Sequence, residues 1–237
     1  MPARADLRVA IVIPAYQAAP TLGAVVAGAR TVAPVYVVDD GSTDGTGDVG
    51  RAAGATVLSH KTNRGKGAAL ATGIAAALAA EAQIIVTLDA DGQHPPTETT
   101  RLLTPIADGR ADLVLGARER SGAMPLGRRF TNWISARLAT RIAGQGVADA
   151  QTGFRAFTRD LAERVRPVDD RYEYETAFLL AACDAGYRVT SIAVPTIYAG
   201  AESHFRPWAD TWRVARVFGR YTGRIIAGGR AGGAGAA

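Results

Sequence analysis

Cysteine is nearly absent, with Cys183 alone among 237 residues. A single thiol excludes an internal disulfide and any cysteine-based metal cluster, and its apolar helical surroundings mark it as buried and inert. No apolar run reaches the ~18 residues of a membrane-spanning helix. Met1 to Arg8 lacks the apolar core of a signal peptide, so cytosolic residence is expected. No Pro/Gly/Ser linker and no internal repeat divides the chain. At 48% hydrophobic it can bury a full core, and a single α/β domain is the simplest reading. Aromatic–basic interleaving around a groove is missing too, which argues against nucleic acid as a partner.

Charge is present but uneven. Residues 1–120 hold 11 lysines and arginines against 12 acids, whereas residues 121–237 hold 16 against 10. The basic half suits a phosphate-bearing partner such as a lipid head group, a membrane face or nucleic acid; arginine also serves as an ordinary solubilising residue.

Short β-branched runs alternate with helical patterns. Val9–Ile13, Val35–Val38, Thr56–Ser59, Ile84–Leu88 and Asp112–Gly116 read as strands. Helices are predicted near Thr21–Arg30, Asp44–Ala53, Gly65–Ala80 and Thr97–Ala107, an order that implies a mostly parallel sheet with helices on both faces. Beyond Gly116 the spacing predicts helices over Phe130–Ile142 and Glu173–Ala185, and strands over Phe154–Thr158 and Val189–Val194. The Gly/Ala-rich tail from Gly228 reads as disordered.

The most informative segment is Leu88-Asp89-Ala90-Asp91-Gly92-Gln93-His94-Pro95-Pro96. It places two carboxylates at the carboxyl end of a buried strand, where ligands of open α/β sheets gather. Alternate residues of a continuing strand point to opposite faces, so the acids can share a ligand only if the chain turns, as Gly92 and the prolines favour. Two hard oxygen donors on a turn suit a divalent cation also held by substrate phosphates. The competing reading is an Asp-rich loop that caps the next helix. Asp39-Asp40-Gly41-Ser42-Thr43-Asp44 ends the second strand; its first acids suit a nucleobase or ribose, its later residues a helix cap. Asn63-Arg64-Gly65-Lys66-Gly67 opens a helix with backbone amides and a lysine, a combination that favours an anion, although the P-loop spacing is missing. His60 reads as structural, while His94 follows the acids closely enough to touch a metal or a diphosphate.

In their order and spacing these motifs, with Pro14-Ala15-Tyr16, Gly116-Ala117-Arg118 and Asp149-Ala150-Gln151-Thr152-Gly153-Phe154-Arg155, resemble a family-2 glycosyltransferase of the polyprenyl-phosphate (dolichol-phosphate mannose synthase-like) branch, from about Val9 to Arg213. The resemblance implies a GT-A fold, a Rossmann-like three-layer α/β/α domain over residues 1–227. Within it a nucleotide-sugar half spans about 9–116, an acceptor half about 117–206 and a C-terminal helix about 207–226, leaving 228–237 as the tail. It implies a donor pocket lined by Pro14, Ala15, Tyr16, Asp39, Asp40, Asn63, Lys66, Asp89, Ala90 and Asp91, with His204 and Arg206 reaching over the diphosphate. Asp89, Asp91 and Gln93 would hold Mg²⁺ or Mn²⁺. Arg118, Arg128, Arg129 and Arg155 would grip an acceptor phosphate, and Asp91, Arg118, Arg129, Asp149 and Glu175 would form the catalytic set. Relatives usually continue Pro-Ala-Tyr with Asn-Glu; this chain has Gln17-Ala18, which leaves the base and the sugar open.

The reaction that the resemblance implies is inverting transfer of a hexose from a donor of the GDP-mannose or UDP-glucose type to a polyprenyl phosphate at the inner membrane face. A phosphate monoester, with a second pKa near ~6, is already ionised at neutral pH and needs no general base. A hydroxyl acceptor on a glycan, protein or small molecule would need one, with Asp149 and Glu175 as candidates. Glu175 reads equally as a helix-entry residue. Two other classes compete: a sugar-phosphate nucleotidyltransferase, whose N-terminal glycine-rich basic loop is missing, and a non-catalytic basic module binding membrane or nucleic acid. From Pro207 to Ile226, Trp208, Trp212, Ala215, Thr222 and Ile225 share one helical face, and Arg213, Arg216, Arg220 and Arg224 lie on another. That pattern suits a peripheral membrane helix or a core-packed helix with a solvated basic face. Self-association and a separate membrane-anchoring partner stay open.

Overall fold

Seven strands form one sheet in the order β3-β2-β1-β4-β6-β5-β7. The structure, a computed structural model, describes residues 7–118, 140, 146–167, 173–197 and 219. Its elements are β1 (Val9–Ala15), α1 (Ala19–Ala29), β2 (Val35–Asp39), α2 (Thr46–Ala52), β3 (Thr56–Ser59), α3 (Lys66–Ala79), β4 (Ile84–Thr87), α4 (Thr99–Ala107), β5 (Leu113–Arg118), β6 (Arg155–Thr158), α5 (Arg159–Arg164), α6 (Tyr174–Asp184) and β7 (Val189–Val194). Strand pairs β1–β2, β2–β3, β1–β4 and β5–β7 are parallel; β6 runs antiparallel to both β4 and β5. The strands expected from the sequence are all present.

Alternation along each strand sorts the core into two layers. Ala10, Val12, Ile85, Leu113 and Leu115 pack with Leu70 and Ile74 of α3 and Phe178 and Leu179 of α6. Ile11, Ile13, Val35, Val37, Ile84 and Val86 face the other way, onto Leu22 and Val26 of α1 and Leu102 and Ile106 of α4. The result is a three-layer α/β/α sandwich. Helix α5 was not expected from the sequence; it starts where the Thr158 hydroxyl accepts a hydrogen bond from the Leu161 amide, an N-cap at the very end of β6.

At the amino edge of the sheet, Asp112 ties β5 to β7. Its carboxylate accepts from the Arg188 backbone amide at 2.9 Å, from Nε at 2.9 Å and from Nη2 at 2.8 Å. The side-chain bonds to Arg188, above all, hold the Asp112 carboxyl below its usual 3.8 despite partial burial. A folded value below the unfolded one means that this contribution to stability is complete above pH 3.8 and is lost as the pH falls through the folded value. Asp112→Asn is therefore expected to lower stability at pH 7 and to flatten its fall at acidic pH, as read from urea midpoints at successive pH values. A cavity of about 340 Å³ lined mainly by Leu7, Val9, Val32, Pro34, Tyr36 and Ala80 also opens at this edge, away from the acids that follow β4.

Candidate active site

The carboxyl edge gathers the chemistry-bearing residues. Strand β1 ends at Ala15, beside Asp39 at the end of β2, and leaves Tyr16 41% exposed. Gln17, at φ 51°, binds this corner to the next loop. Its amide donates to Ser42 Oγ at 3.0 Å, its Nε2 to Thr43 Oγ1 at 3.0 Å, and its Oε1 accepts from the Thr43 amide at 3.2 Å. Asp39 Oδ1 accepts from the Ser42 amide at 3.0 Å. Gly41, at φ 75°, sits so close to Thr62 and Asn63 that a Cβ would overlap their backbone, so the two turns can meet only through glycine.

Asp40 departs from the expected donor-binding role. Only 3% exposed, it accepts from the Arg64 amide at 2.9 Å, the Gly65 amide at 2.7 Å and His60 Nδ1 at 2.6 Å. His60 continues to Thr72 Oγ1 of α3 at 3.0 Å, as befits the structural role read for it. The amides expected to cradle a substrate anion thus already hold a carboxylate of the chain itself. The sequence shows the anion-seeking loop but not that an internal acid satisfies it.

Lys66, the first residue of α3, points elsewhere. Its Nζ lies 2.7 Å from Asp89 Oδ1 and 2.6 Å from Glu175 Oε1. The approach to Glu175 is poor for a hydrogen bond, so charge holds that pair. Exposure falls across the group, with Asp89 26%, Lys66 19% and Glu175 5% exposed at the side chain. Burial opposes ionisation of Asp89, but the adjoining ammonium outweighs it and holds that carboxyl below the usual range.

Behind β4 the chain turns as expected. Gly92 adopts φ 73°, Thr21 Oγ1 donates to the Ala90 carbonyl at 2.7 Å, and Asp91 Oδ1 accepts from the Gln93 amide at 2.9 Å. Partial desolvation and then the adjoining Asp89 charge push the Asp91 carboxyl up. Two acids crowded enough to repel each other, on a turn, form a donor set suited to a divalent cation. No third acid, histidine or cysteine completes a cluster among the described residues. That suits an ion which takes one or two carboxylates and fills its shell from substrate phosphates and water. His94 is only 4% exposed and its ring lies 5.4 Å from that of Phe154; burial lowers its pKa and favours the neutral ring.

On the other side, Arg118 ends β5 and donates to Asp149 through Nε at 2.7 Å and Nη2 at 3.3 Å. Arg155 does not stand where an acceptor would meet it. It is 2% exposed, and its guanidinium donates to the carbonyls of Thr152 at 2.7 Å, Glu175 at 2.6 Å and Ala150 at 2.9 Å. It is a buried brace. Sequence reasoning missed Gly153, which lies between β4 and the site: a Cβ there would overlap both carboxylate oxygens of Asp89. Its carbonyl accepts from Thr87 Oγ1 at 2.7 Å. A glycine following a threonine before a strand was the available signal. Arg128, Arg129, His204, Arg206 and the helix expected over 207–226 lie outside the described residues apart from residue 219.

Residues 10–166 match the family model described as Glycosyl transferase family 2. The chain is 30% identical over 207 residues to the polyprenol monophosphomannose synthase of Mycolicibacterium smegmatis, covering 81% of this chain and 78% of that one. It is 28% identical over 221 residues to the UDP-N-acetylglucosamine–dolichyl-phosphate N-acetylglucosaminyltransferase of Methanococcus voltae, covering 82% and 87%. Among solved structures, glucosyl-3-phosphoglycerate synthase from Mycobacterium tuberculosis, crystallised with Mn²⁺, UDP-glucose and phosphoglyceric acid, superposes with a TM-score of 0.77 over 93% of this chain and 81% of that one at 21% identity, which establishes a shared GT-A fold. The chain belongs to glycosyl transferase family 2 and is a glycosyltransferase.

Proposed function

We propose that this glycosyltransferase moves a hexose, with inversion, from a nucleoside-diphosphate sugar of the GDP-mannose or UDP-glucose type to a polyprenyl phosphate. One observation carries the choice of acceptor. Both carboxylates that could serve a hydroxyl acceptor as general base are committed to cations, Asp149 to Arg118 at 2.7 Å and Glu175 to Lys66 at 2.6 Å. Neither carboxylate could turn to an acceptor hydroxyl without giving up its cation. An acceptor phosphate with a second pKa of about 6 arrives ionised and needs no base. The names of the two relatives, one a polyprenol and one a dolichyl-phosphate enzyme, support the same reading.

In this reading Tyr16 and Asp39 face the nucleoside, and Asp89 and Asp91, with Gln93, would hold Mg²⁺ or Mn²⁺. Such an ion, when bound, would supply positive charge to the departing diphosphate. Arg118, oriented by Asp149, receives the acceptor phosphate, and Arg128 or Arg129 is assigned a second grip. No helix among the described residues is long and apolar enough to cross a membrane; the reading places the enzyme at the inner membrane face through its amphipathic segment 207–226.

Asp149→Asn tests the acceptor half. Removal of the charge that orients Arg118 is expected to raise KM for polyprenyl phosphate about tenfold and leave the pH–rate profile unchanged. A general base would instead show as a fall in kcat and loss of the acidic limb of that profile.

The decisive assay offers undecaprenyl phosphate with Mg²⁺ or Mn²⁺ and labelled UDP-glucose, UDP-galactose, UDP-N-acetylglucosamine or GDP-mannose in turn. Label entering the organic phase from one donor, and not with Asp91→Ala, is the expected result. Hydrolysis of a donor without lipid-borne label would move the acceptor to a hydroxyl, and no donor binding at all would overturn the reading.

A further inference from the structure

We propose that the Lys66 ammonium is a built-in stand-in cation for the Asp89 metal position, so that metal and nucleoside diphosphate bind this enzyme together and poorly apart. The inference rests on the metal-site reading given above and extends it to the order of binding.

The geometry is unusual for a lysine at a helix start, where the amide dipoles favour a negative rather than a positive group. Instead of extending into solvent, Lys66 spans two acids, 2.7 Å from Asp89 Oδ1 and 2.6 Å from Glu175 Oε1. Glu175 is almost fully buried and draws the ammonium inward. A divalent ion on Asp89 would need that same carboxylate at ~2.0–2.6 Å. With the ammonium already on Oδ1, metal and lysine would crowd one carboxylate, and their like charges repel at close range. A diphosphate changes the balance, because its oxygens give the displaced ammonium a new partner and add ligands for the metal. By linkage, whatever the nucleotide does for the metal, the metal does for the nucleotide. Glu175 acts here as a positioning residue: it sets where the ammonium rests before metal and nucleotide bind.

The test follows free Mn²⁺ by electron paramagnetic resonance, with and without UDP or GDP, and requires no turnover. The wild type should take up Mn²⁺ weakly alone and about tenfold more tightly with the matching nucleoside diphosphate. Lys66→Met should bind Mn²⁺ alone about tenfold more tightly than the wild type and lose most of the nucleotide effect. The double variant Lys66→Met/Glu175→Gln removes both members of the inner pair, leaves no unpaired carboxylate at position 175 and preserves local net charge. It should show the same direction of change, and circular dichroism would report whether each variant is folded.

Unchanged or weaker Mn²⁺ uptake in the folded double variant overturns the stand-in role and leaves the metal site intact. A wild type that takes up no Mn²⁺ even with either nucleoside diphosphate overturns the metal reading, and this proposal with it.

Discussion

Gly153→Ala is expected to lower kcat/KM for transfer by about 100-fold while leaving the protein folded. The three atoms nearest the added methyl all belong to the Asp89 carboxylate, and its two oxygens would be overlapped. Since the atoms that must yield are the end of a side chain, the cost to the fold is small. The cost to the site is not, because Asp89 can retreat only by leaving both Lys66 and its position beside Asp91. If Asp89 holds the ion as proposed, a displacement of about 1 Å is enough for a loss of this size. Steady-state transfer beside a thermal melt checks it. A melt near the wild type with a collapsed rate is the expected pair of results; an unchanged rate would remove Asp89 from the donor site.

Arg155→Met is expected to act the opposite way, by lowering stability about 3–5 kcal/mol as read from a urea midpoint. The guanidinium satisfies three buried carbonyls, on Ala150, Thr152 and Glu175. It also supplies positive charge among Glu175, Asp149 and Asp89, which act against the strong downward effect of burial on its own pKa. Methionine can fill the volume but can donate to none of those carbonyls, and each one left unpaired costs about 1–3 kcal/mol. Against a total of about 5–15 kcal/mol, a loss of this size shifts the transition clearly. A normal midpoint with a raised acceptor KM would restore the phosphate-gripping role.

Arg155 also shows where the sequence stops informing. Gly-Phe-Arg at the start of a strand looks identical whether the arginine meets a ligand or a ring of carbonyls, because its partners lie 3, 5 and 20 residues away in sequence and only folding brings them together. Asp40 fails for the same reason: its partners, at Arg64 and Gly65, lie 24 and 25 residues on. What can be read is local. The turn behind Asp89-Ala90-Asp91 follows from Gly92, and strand positions follow from β-branched runs, so the acids after β4 and the ends of β1 and β2 fall at the expected edge. Strand direction is not local either. The alternation of Arg155–Thr158 is the same for parallel and antiparallel neighbours, and only the pairing with β4 and β5 reveals the reversal.

That reversal has a consequence for how such enzymes can diversify. With β6 running opposite to β5, the chain that leaves the sheet at Arg118 comes back to the same rim, and the ion pair with Asp149 joins its two ends across 31 residues. A crossover between parallel strands must traverse the whole depth of the sheet, which fixes a minimum length. A path that departs and returns on one rim has no such minimum, and the entropy of closing it grows only slowly with length, about 0.6 kcal/mol per doubling. The span from Arg118 to Asp149 can therefore change in length without disturbing β1, β2 and β4, and under the proposed function such changes would bear on the acceptor side alone.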